Sequence, residues 1–509
     1  MMPIKKILIA NRGEIALRII RTCKELGIKT VALCPQKGQE NNFLETKFAD
    51  EFYCLEEEGI LGYLDQKRII QIGKAASVDA IHPGYGFLAE NGDFADLCAK
   101  NNIKFIGPSG DILRKVGNKI KAREIAKKVK LPLLPACEKS TRQGEEAFKT
   151  AKKIGCPLLL KALSGGGGIG IELIEKIDKE KFLATFQKLQ RQVKNAFGDD
   201  EIFVEKFLEN PRHIEFQILG DGKGNVVHFG ERECSIQRRH QKLIEEAPSS
   251  FLDKNLRKKM GKLAVKFGKF LKYEGVGTVE FLVDEDKNFY FMEVNPRLQV
   301  EHPVTEKITG FDLVEQQIRI AQGEKLNLKQ RNIKFSGWAM EFRINSEKAQ
   351  ENFLPTIGTV AYYLPPNGTG VEVHSFLHQG QVIFPYFDSL LAKLVVFAEN
   401  RKILINRAKR ALNEFIIKGL PTLIPLHKVI LENENFINGV LSTSFLKKEK
   451  IIEKIVEKGE EVFKGIKEKE GKIDEKEIAL IAAKIYFETK KEENSPQKAN
   501  KWKMASWQE

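Results

Sequence analysis

The chain has 509 residues, too many for one ordinary hydrophobic core, so two to four domains are expected. Hydrophobic residues at 42% and charged residues at 30% exclude a disordered chain, and no apolar run approaches the roughly 20 residues that span a bilayer. The formal charge of +14 invites a nucleic-acid reading, but the lysines are dispersed among glutamates with no interleaved aromatics or nucleic-acid motif, so most of that charge is solvated surface.

Met1–Ala10 is a short apolar strand with two lysines and lacks the long apolar core and cleavage site of a secretion signal. Cysteines 23, 34, 54, 98, 137, 156 and 234 are odd in number and form no Cys-x-x-Cys pair. They indicate neither a disulfide framework nor a zinc site, and a reducing cytoplasm is expected.

Ile7–Ala10 reads as a buried strand and Asn11–Glu14 as a turn. Ile15, Ile19, Cys23 and Leu26 then mark the apolar face of a helix that stops at Gly27. Thr30–Leu33 restarts a strand, and Asp79–His82 leads another into the loop Pro83–Gly86. This alternation predicts a parallel α/β sheet over residues 1–115. Residues 116–330 mix helices with hairpins in an α+β pattern, and 335–447 are strand-rich and then helical. Residues 448–509 turn rich in Lys and Glu, with one amphipathic helix capped by Asp474 and carrying Ile478, Ile481 and Ile485 on one face.

Within the second segment, Pro157–Leu160 is a strand that ends in Lys161 and runs into Gly165, Gly166, Gly167, Gly168 and Gly170. The loop happens to satisfy G-x-G-x-x-G. The residues after it, Ile169–Ile174, alternate as a strand rather than opening a helix, so a dinucleotide fingerprint is excluded. There is no Gly-Lys-Ser/Thr of a P-loop and no kinase catalytic motif. What remains is a glycine hairpin whose bare backbone can approach phosphate oxygens, with Lys161 as a point charge. Taken alone, the segment also fits a surface turn with a solvated lysine.

Gly277–Val283 and Asn288–Asn295 flank the polar turn Asp284–Lys287, a hairpin signal. A turn centred on Asp286-Lys287 sets Glu280 opposite Glu293 on one face. Facing like charges destabilise a sheet unless a cation sits between them, and Mg²⁺ or Mn²⁺ would satisfy both, with Asn295 offering a further oxygen. The same pattern also fits two glutamates facing water.

Several motifs then occur in order: Asn11-Arg-Gly-Glu-Ile-Ala16, His82-Pro-Gly-Tyr-Gly-Phe87, Phe105-Ile-Gly-Pro108, Glu205-Lys206, Asn210-Pro-Arg-His213, Glu231-Arg-Glu-Cys-Ser-Ile-Gln-Arg-Arg-His-Gln-Lys242, Glu245-Glu-Ala-Pro248 and Glu293-Val-Asn-Pro-Arg-Leu-Gln-Val-Glu-His-Pro-Val-Thr-Glu306. As an ordered set, spanning Ile4 to Lys447, they resemble the biotin carboxylases. The resemblance implies a Rossmann-like N-terminal domain, an ATP-grasp nucleotide clamp and a biotin carboxylase C-terminal domain. It implies that ATP and bicarbonate form carboxyphosphate, which carboxylates biotin carried on another protein.

Carried over by position, Lys119, Lys161 and the loop glycines would contact ATP phosphates. Glu205, Lys206 and Leu208 would hold adenine and sugar, and His213, Gln237 and His240 would line the same site. Glu280 and Glu293, with Asn295, would hold Mg²⁺. Lys242, Arg297, Gln299 and Val300 would cradle bicarbonate, the planar fork of Arg297 matching a planar oxyanion. Glu301 resembles the general base that deprotonates bicarbonate, kept ionised by nearby Arg297 and Lys242. Arg343 corresponds to the arginine that stabilises the biotin enolate. Tyr85 and Asp388 lie in matching motifs, Tyr85 on the substrate side.

The match breaks in the glycine loop, where the family usually has Arg at 169, Met at 171 and a basic residue at 172; here they are Ile169, Ile171 and Glu172. Asn118 replaces an acid before Lys119. The loop changes remove a positive charge and add a negative one near the expected polyphosphate, and are expected to weaken lid closure while sparing the metal and bicarbonate sites. A biotinylation hairpin is missing, Trp502-Lys503-Met504 being a poor match, and nothing corresponds to a carboxyltransferase domain. The expected partners are therefore a biotin carboxyl carrier protein and a carboxyltransferase subunit, with a homodimer common in the family. Trp502 and Trp507 near the C-terminus suggest docking of that tail to a partner, or a weakly packed helix. Two rivals remain: another ATP-grasp ligase joining a carboxylate to an amine, and a nucleotide-binding protein without catalysis.

Overall fold

Strand β1 (Lys6–Ile9) buries Ile7, Leu8 and Ile9 in succession, the pattern of a strand covered on both faces. In the computed structural model, which describes residues 3–57, 59–137, 139–162, 170–197 and 200–457, it is the centre of the first layer. Gly165–Gly168, Ile169, the Asp474 helix, Trp502 and Trp507 lie outside the described residues. Helix α1 (Gly13–Glu25) buries Ile15, Ile19 and Cys23 against the sheet, and Gly27 turns the chain away with φ +69°.

With β2 (Lys29–Cys34), β3 (Glu51–Cys54), β4 (Ala80–His82) and β5 (Lys104–Phe105), the layer is a parallel sheet in the order β3-β2-β1-β4-β5. The winding reverses between β1 and β4, which opens a crevice at the C-terminal ends of those strands. Both loops that leave there are motif segments. The Asn11 side chain donates to the Pro83 and Tyr85 carbonyls, each at 2.7 Å. Gly84 has φ +63°, and a Cβ there would stand 2.8 Å from Asn11 Nδ2, so the two loops can close on each other only with glycine at this position.

Strands β6 (Leu158–Ala162), β7 (Ile171–Ile174) and β8 (Ile202–Lys206) form a small antiparallel sheet in the order β7-β6-β8. Phe148, Phe182 and Phe186, from the helices Gly144–Ile154 and Lys179–Phe197, pack into one core with its Leu158 and Leu160.

The largest layer is an eight-stranded antiparallel sheet. It comprises β9 (Arg212–Asp221), β10 (Val226–Arg238), β11 (Gln241–Ala247), β12 (Glu274–Val283), β13 (Phe289–Asn295), β14 (Trp338–Asn345), β15 (Val371–Ser375) and β16 (Leu390–Ala398). Their order is β13-β12-β9-β10-β11-β14-β16-β15. The compositional boundary at 330–335 does not interrupt this sheet, because β14 pairs directly with β11. Phe216, Phe267, Phe281 and Phe291 fill the core beneath one end of it.

The β12–β13 hairpin pairs Glu280 with Glu293, but by a different path from the simple turn expected. Near the turn Val283 pairs with Phe289, so the turn centres on Asp286, with Lys287 at φ +64°. Met292 then bulges out of register, and that extra residue brings Glu293 opposite Glu280.

Candidate active site

Register alone lines up a row of ionisable side chains across four strands. Glu293 lies opposite Glu280, Glu280 opposite Glu215, and Glu215 opposite Arg232. Directly paired residues share a face, so three carboxylates stand side by side and need cations. Arg232, with 0% exposure, supplies one: Nε reaches Glu215 at 2.5 Å, Nη1 reaches Gln217 and Thr305 at 2.7 and 3.0 Å, and Nη2 reaches Thr278 at 3.0 Å. Lys242, on β11, supplies the other. Its Nζ touches Glu215, Glu280 and Glu301 at 2.5, 2.9 and 2.7 Å.

Glu301 immediately precedes the helix His302–Thr309 and is fully buried. Its second oxygen accepts from Arg343 at 2.9 Å, and Arg343 also holds Glu245. Burial alone would push the Glu301 carboxyl up, but Lys242, Arg343 and Arg232 outweigh it and hold the group well below the usual carboxylate range. Glu301 is thus an ionised acid between two cations. The sequence reading expected those cations to be Lys242 and Arg297. In the fold Arg297 pairs with Glu90 at 2.6 Å and Gln299 at 3.1 Å, and β14 brings in Arg343 instead. Gln299 in turn donates to Glu280 at 3.3 Å.

At the acid pair, burial and the charge of Glu280 push the Glu293 carboxyl up, with Lys119 opposing. Glu280 behaves oppositely: burial is outweighed by Lys242 and His213, which keep it ionised. His213 Nε2 stands 2.9 Å from Glu280. Asn295 donates its Nδ2 to Glu280 at 2.7 Å, and its Oδ1 faces Arg297 at 3.5 Å. The residues fit a hard divalent cation: two adjacent carboxylates repel, one of them raised, and reversal of the Asn295 amide would add an oxygen.

The nucleotide end is set by β6, β8 and the helix Lys119–Lys128. Asn118 caps that helix, its side chain accepting from Lys121 N–H at 3.0 Å, so it does locally what an acid there would do. Lys119 Nζ reaches the Ala162 carbonyl at 3.3 Å. Glu205 is buried between Lys161 at 2.5 Å and Arg123 at 2.6 Å. Lys206 is tied to the Cys156 carbonyl at 2.8 Å, and Leu208 is half-buried beyond it. Gln237 is buried on β10, while His240 sits exposed at the hairpin tip beside Arg239, both with positive φ. Glu172 pairs with Lys188 at 3.0 Å, so its charge is compensated by the neighbouring helix.

On the far side Tyr85 donates to Glu14, Lys393 pairs with Glu14 at 2.9 Å, and Lys393 also donates to the Val300 carbonyl at 2.9 Å. Arg12 reaches Asp388 at 3.2 Å.

The sequence reading quoted Glu14, Arg232 and Glu245 within motifs but gave them no role, and it missed Glu215, Arg123 and Lys393. Two of them carried a signal. Glu231-Arg232-Glu233 places charges on both faces of a strand buried on both faces, and Lys393 is a lone lysine inside Leu390–Ala398, an otherwise apolar strand. A buried charge must be paired, so each such residue marks a network.

A strand-borne lysine, two facing carboxylates on one hairpin and a buried acid between two cations are parts that suit a nucleotide-dependent ligase. Comparison with known proteins narrows this. Family models for the biotin carboxylase N-terminal domain, the carbamoyl-phosphate synthase L chain ATP binding domain and the biotin carboxylase C-terminal domain match residues 3–113, 118–329 and 341–448. Biotin carboxylase 1 of Bacillus subtilis is 47% identical over 445 residues, covering 87% of this chain and 98% of that protein. A pyruvate carboxylase subunit of Methanothermobacter thermautotrophicus is 46% identical over 442 residues, covering 87% and 89%. Among solved structures, the biotin carboxylase domain dimer of the Hydrogenobacter thermophilus 2-oxoglutarate carboxylase, in complex with MgADP, ADP and bicarbonate, superposes with a TM-score of 0.86 at 44% identity, covering 89% of this chain and 99% of that one. The chain belongs to the biotin carboxylase family. Among the described residues no helix is long and apolar enough to cross a membrane.

Proposed function

We propose that the chain uses ATP and bicarbonate to carboxylate biotin presented by a separate carrier protein. The observation that carries this reading is Glu301, buried and ionised between Lys242 and Arg343. Glu301 takes the proton of bicarbonate. A bicarbonate oxygen then bonds to the γ-phosphorus of ATP as the bond to the β,γ-bridging oxygen breaks, giving ADP and carboxyphosphate. Carboxyphosphate splits to CO₂ and phosphate, the phosphate takes the ureido N–H proton of biotin, and the resulting enolate nitrogen bonds to CO₂. Arg343 supplies fixed positive charge where the enolate develops. Lys242, Arg297, Gln299 and Val300 form the bicarbonate cradle, and Lys119, Lys161, Glu205, Lys206, Leu208, His213, Gln237 and His240, with the loop glycines, the nucleotide site.

A Mg²⁺ held by Glu280 and Glu293, with Asn295, would neutralise the β- and γ-phosphate charge. Glu293→Gln is expected to raise the Mg²⁺ concentration needed for half-maximal ATP cleavage about tenfold or more. A Mg²⁺ titration that leaves this value unchanged removes Glu293 from the site.

The relatives are named for different acceptors, pyruvate and 2-oxoglutarate, although their biotin carboxylase parts are similar to this chain. A carboxyltransferase subunit would therefore choose the acceptor here, working in the cytoplasm with a homodimer of this chain. The deciding assay is ADP release by the purified protein. Dependence on bicarbonate and Mg²⁺, with stimulation by free biotin, is the expected result. Cleavage indifferent to biotin points to another ATP-grasp ligase, and nucleotide binding without ADP release points to a non-catalytic protein.

A further inference from the structure

Lys393 stands at the centre of β16 with 0% exposure, flanked by buried Ala392 and Leu394. Register sets it directly opposite Arg343 on β14 and opposite His374 on β15. Two like charges facing each other across a buried sheet are unfavourable unless each has its own acid. Arg343 has Glu245 and Glu301, and Lys393 has Glu14 at 2.9 Å. A fourth acid nearby, Glu341, faces Glu245 across the sheet. Burial pushes its carboxyl well up against the pull of Lys393, and neither of its oxygens has a hydrogen-bond partner among the described residues. The bonds of Lys393 go elsewhere, to Glu14 and to the Val300 carbonyl.

Those two contacts join residues far apart in the sequence. Glu14 belongs to the first turn of α1 and accepts from Tyr85, on the loop after β4. Val300 is the residue before Glu301. A continuous line of bonds therefore runs from Tyr85 through Glu14 and Lys393 to Val300, linking four segments of the chain.

We propose that Lys393 is a positioning residue: by gripping the Val300 carbonyl it fixes where Glu301 meets bicarbonate, and through Glu14 it sets that point relative to the loop bearing Tyr85. The proposal rests on the biotin carboxylation reading. A lysine that only filled its slot would need one acid as partner. This one spends a second bond on the backbone beside the base, where a displacement of 1 Å costs about 100-fold in rate.

The test begins with the wild-type protein, whose bicarbonate- and biotin-dependent ADP release must be present; its absence sinks the functional reading and not this one. Given that activity, Lys393→Met is expected to lower kcat/KM for bicarbonate about 100-fold while KM for ATP and for Mg²⁺ stays at the wild-type value. Lys393→Arg, which keeps the charge and the donors, should recover part of the loss. Should Lys393→Met fail to fold, Glu14→Gln decides: it removes the ion pair but leaves Lys393 on Val300, and KM for biotin is expected to rise with KM for ATP fixed. Wild-type kinetics in Glu14→Gln, or a uniform rise of all three KM values in Lys393→Met, overturns the proposal.

Discussion

Glu301→Gln is expected to cut bicarbonate-dependent ATP cleavage by about 10²–10⁴-fold, the usual worth of a general base, with nucleotide affinity unchanged. The substitution preserves shape and removes the proposed proton acceptor. It also strips Lys242 and Arg343 of their shared anion. The proposed nucleotide contacts at Lys119, Lys161 and Glu205 lie on other elements and keep their own partners. Calorimetric titration with ADP and Mg²⁺ should therefore match the wild type while ADP production collapses. A variant that cleaves ATP at more than a tenth of the wild-type rate would show that proton transfer runs through another group.

The largest loss of stability is expected from Arg232→Met. The side chain has 0% exposure and all three of its nitrogens are bonded, so its removal leaves Glu215 buried with Lys242 at 2.5 Å and the more distant His213 at 3.9 Å, at a cost of about 3–5 kcal/mol. The double variant with Glu215→Gln should regain part of that cost, because the stranded charge is gone. The pH dependence gives a second check. Burial raises the Glu215 carboxyl to about 7 even with Arg232 and Lys242 opposing. A raised folded-state value favours the protonated acid, so its stabilising contribution is full below the ordinary carboxylate range and is lost as pH rises through about 7. Without Arg232 that value climbs further, so the deficit of the variant widens as pH rises above 7. Urea unfolding at several pH values reads both effects, and a deficit below about 1 kcal/mol would mean that Arg232 is dispensable.

Local rules carried the sequence reading far. The apolar run of β1, the helix face of Ile15, Ile19 and Cys23, and the strand ending at Lys161 all lie where periodicity put them, because burial on a fixed face is a local demand. The Glu280–Glu293 pair was found by counting back from an assumed turn, and the count succeeded because the Met292 bulge offsets a turn centred one half-step away. Bulges leave little trace in composition, so that compensation was invisible. Of the two cations expected around Glu301, Lys242 is there and Arg297 is not, for a different reason. Nearness in sequence favoured Arg297, whereas pairing of β14 with β11 is a long-range event that no local pattern reports. Of the charged residues that organise the site, Arg232 stood inside a quoted motif without a role and Glu215 stood in none, because their pairing depends on the register of β9 with β10. Motif likeness supplied residue roles that periodicity never could, and the glycine loop, with its Ile169 departure, lies outside the described residues.

The uninterrupted eight-stranded sheet has a consequence for how the chain can be divided. A cut at residue 330, attractive by composition, would strip β11 of its neighbour and bare a row of unpaired amide and carbonyl groups in mid-sheet. The shortened product should seek a substitute strand from other copies and precipitate, and the piece beginning at 335 would carry the complementary raw seam on β14. Co-expressed, the two halves would have reason to knit together again, which makes this seam a rational place to split the protein into a conditional pair.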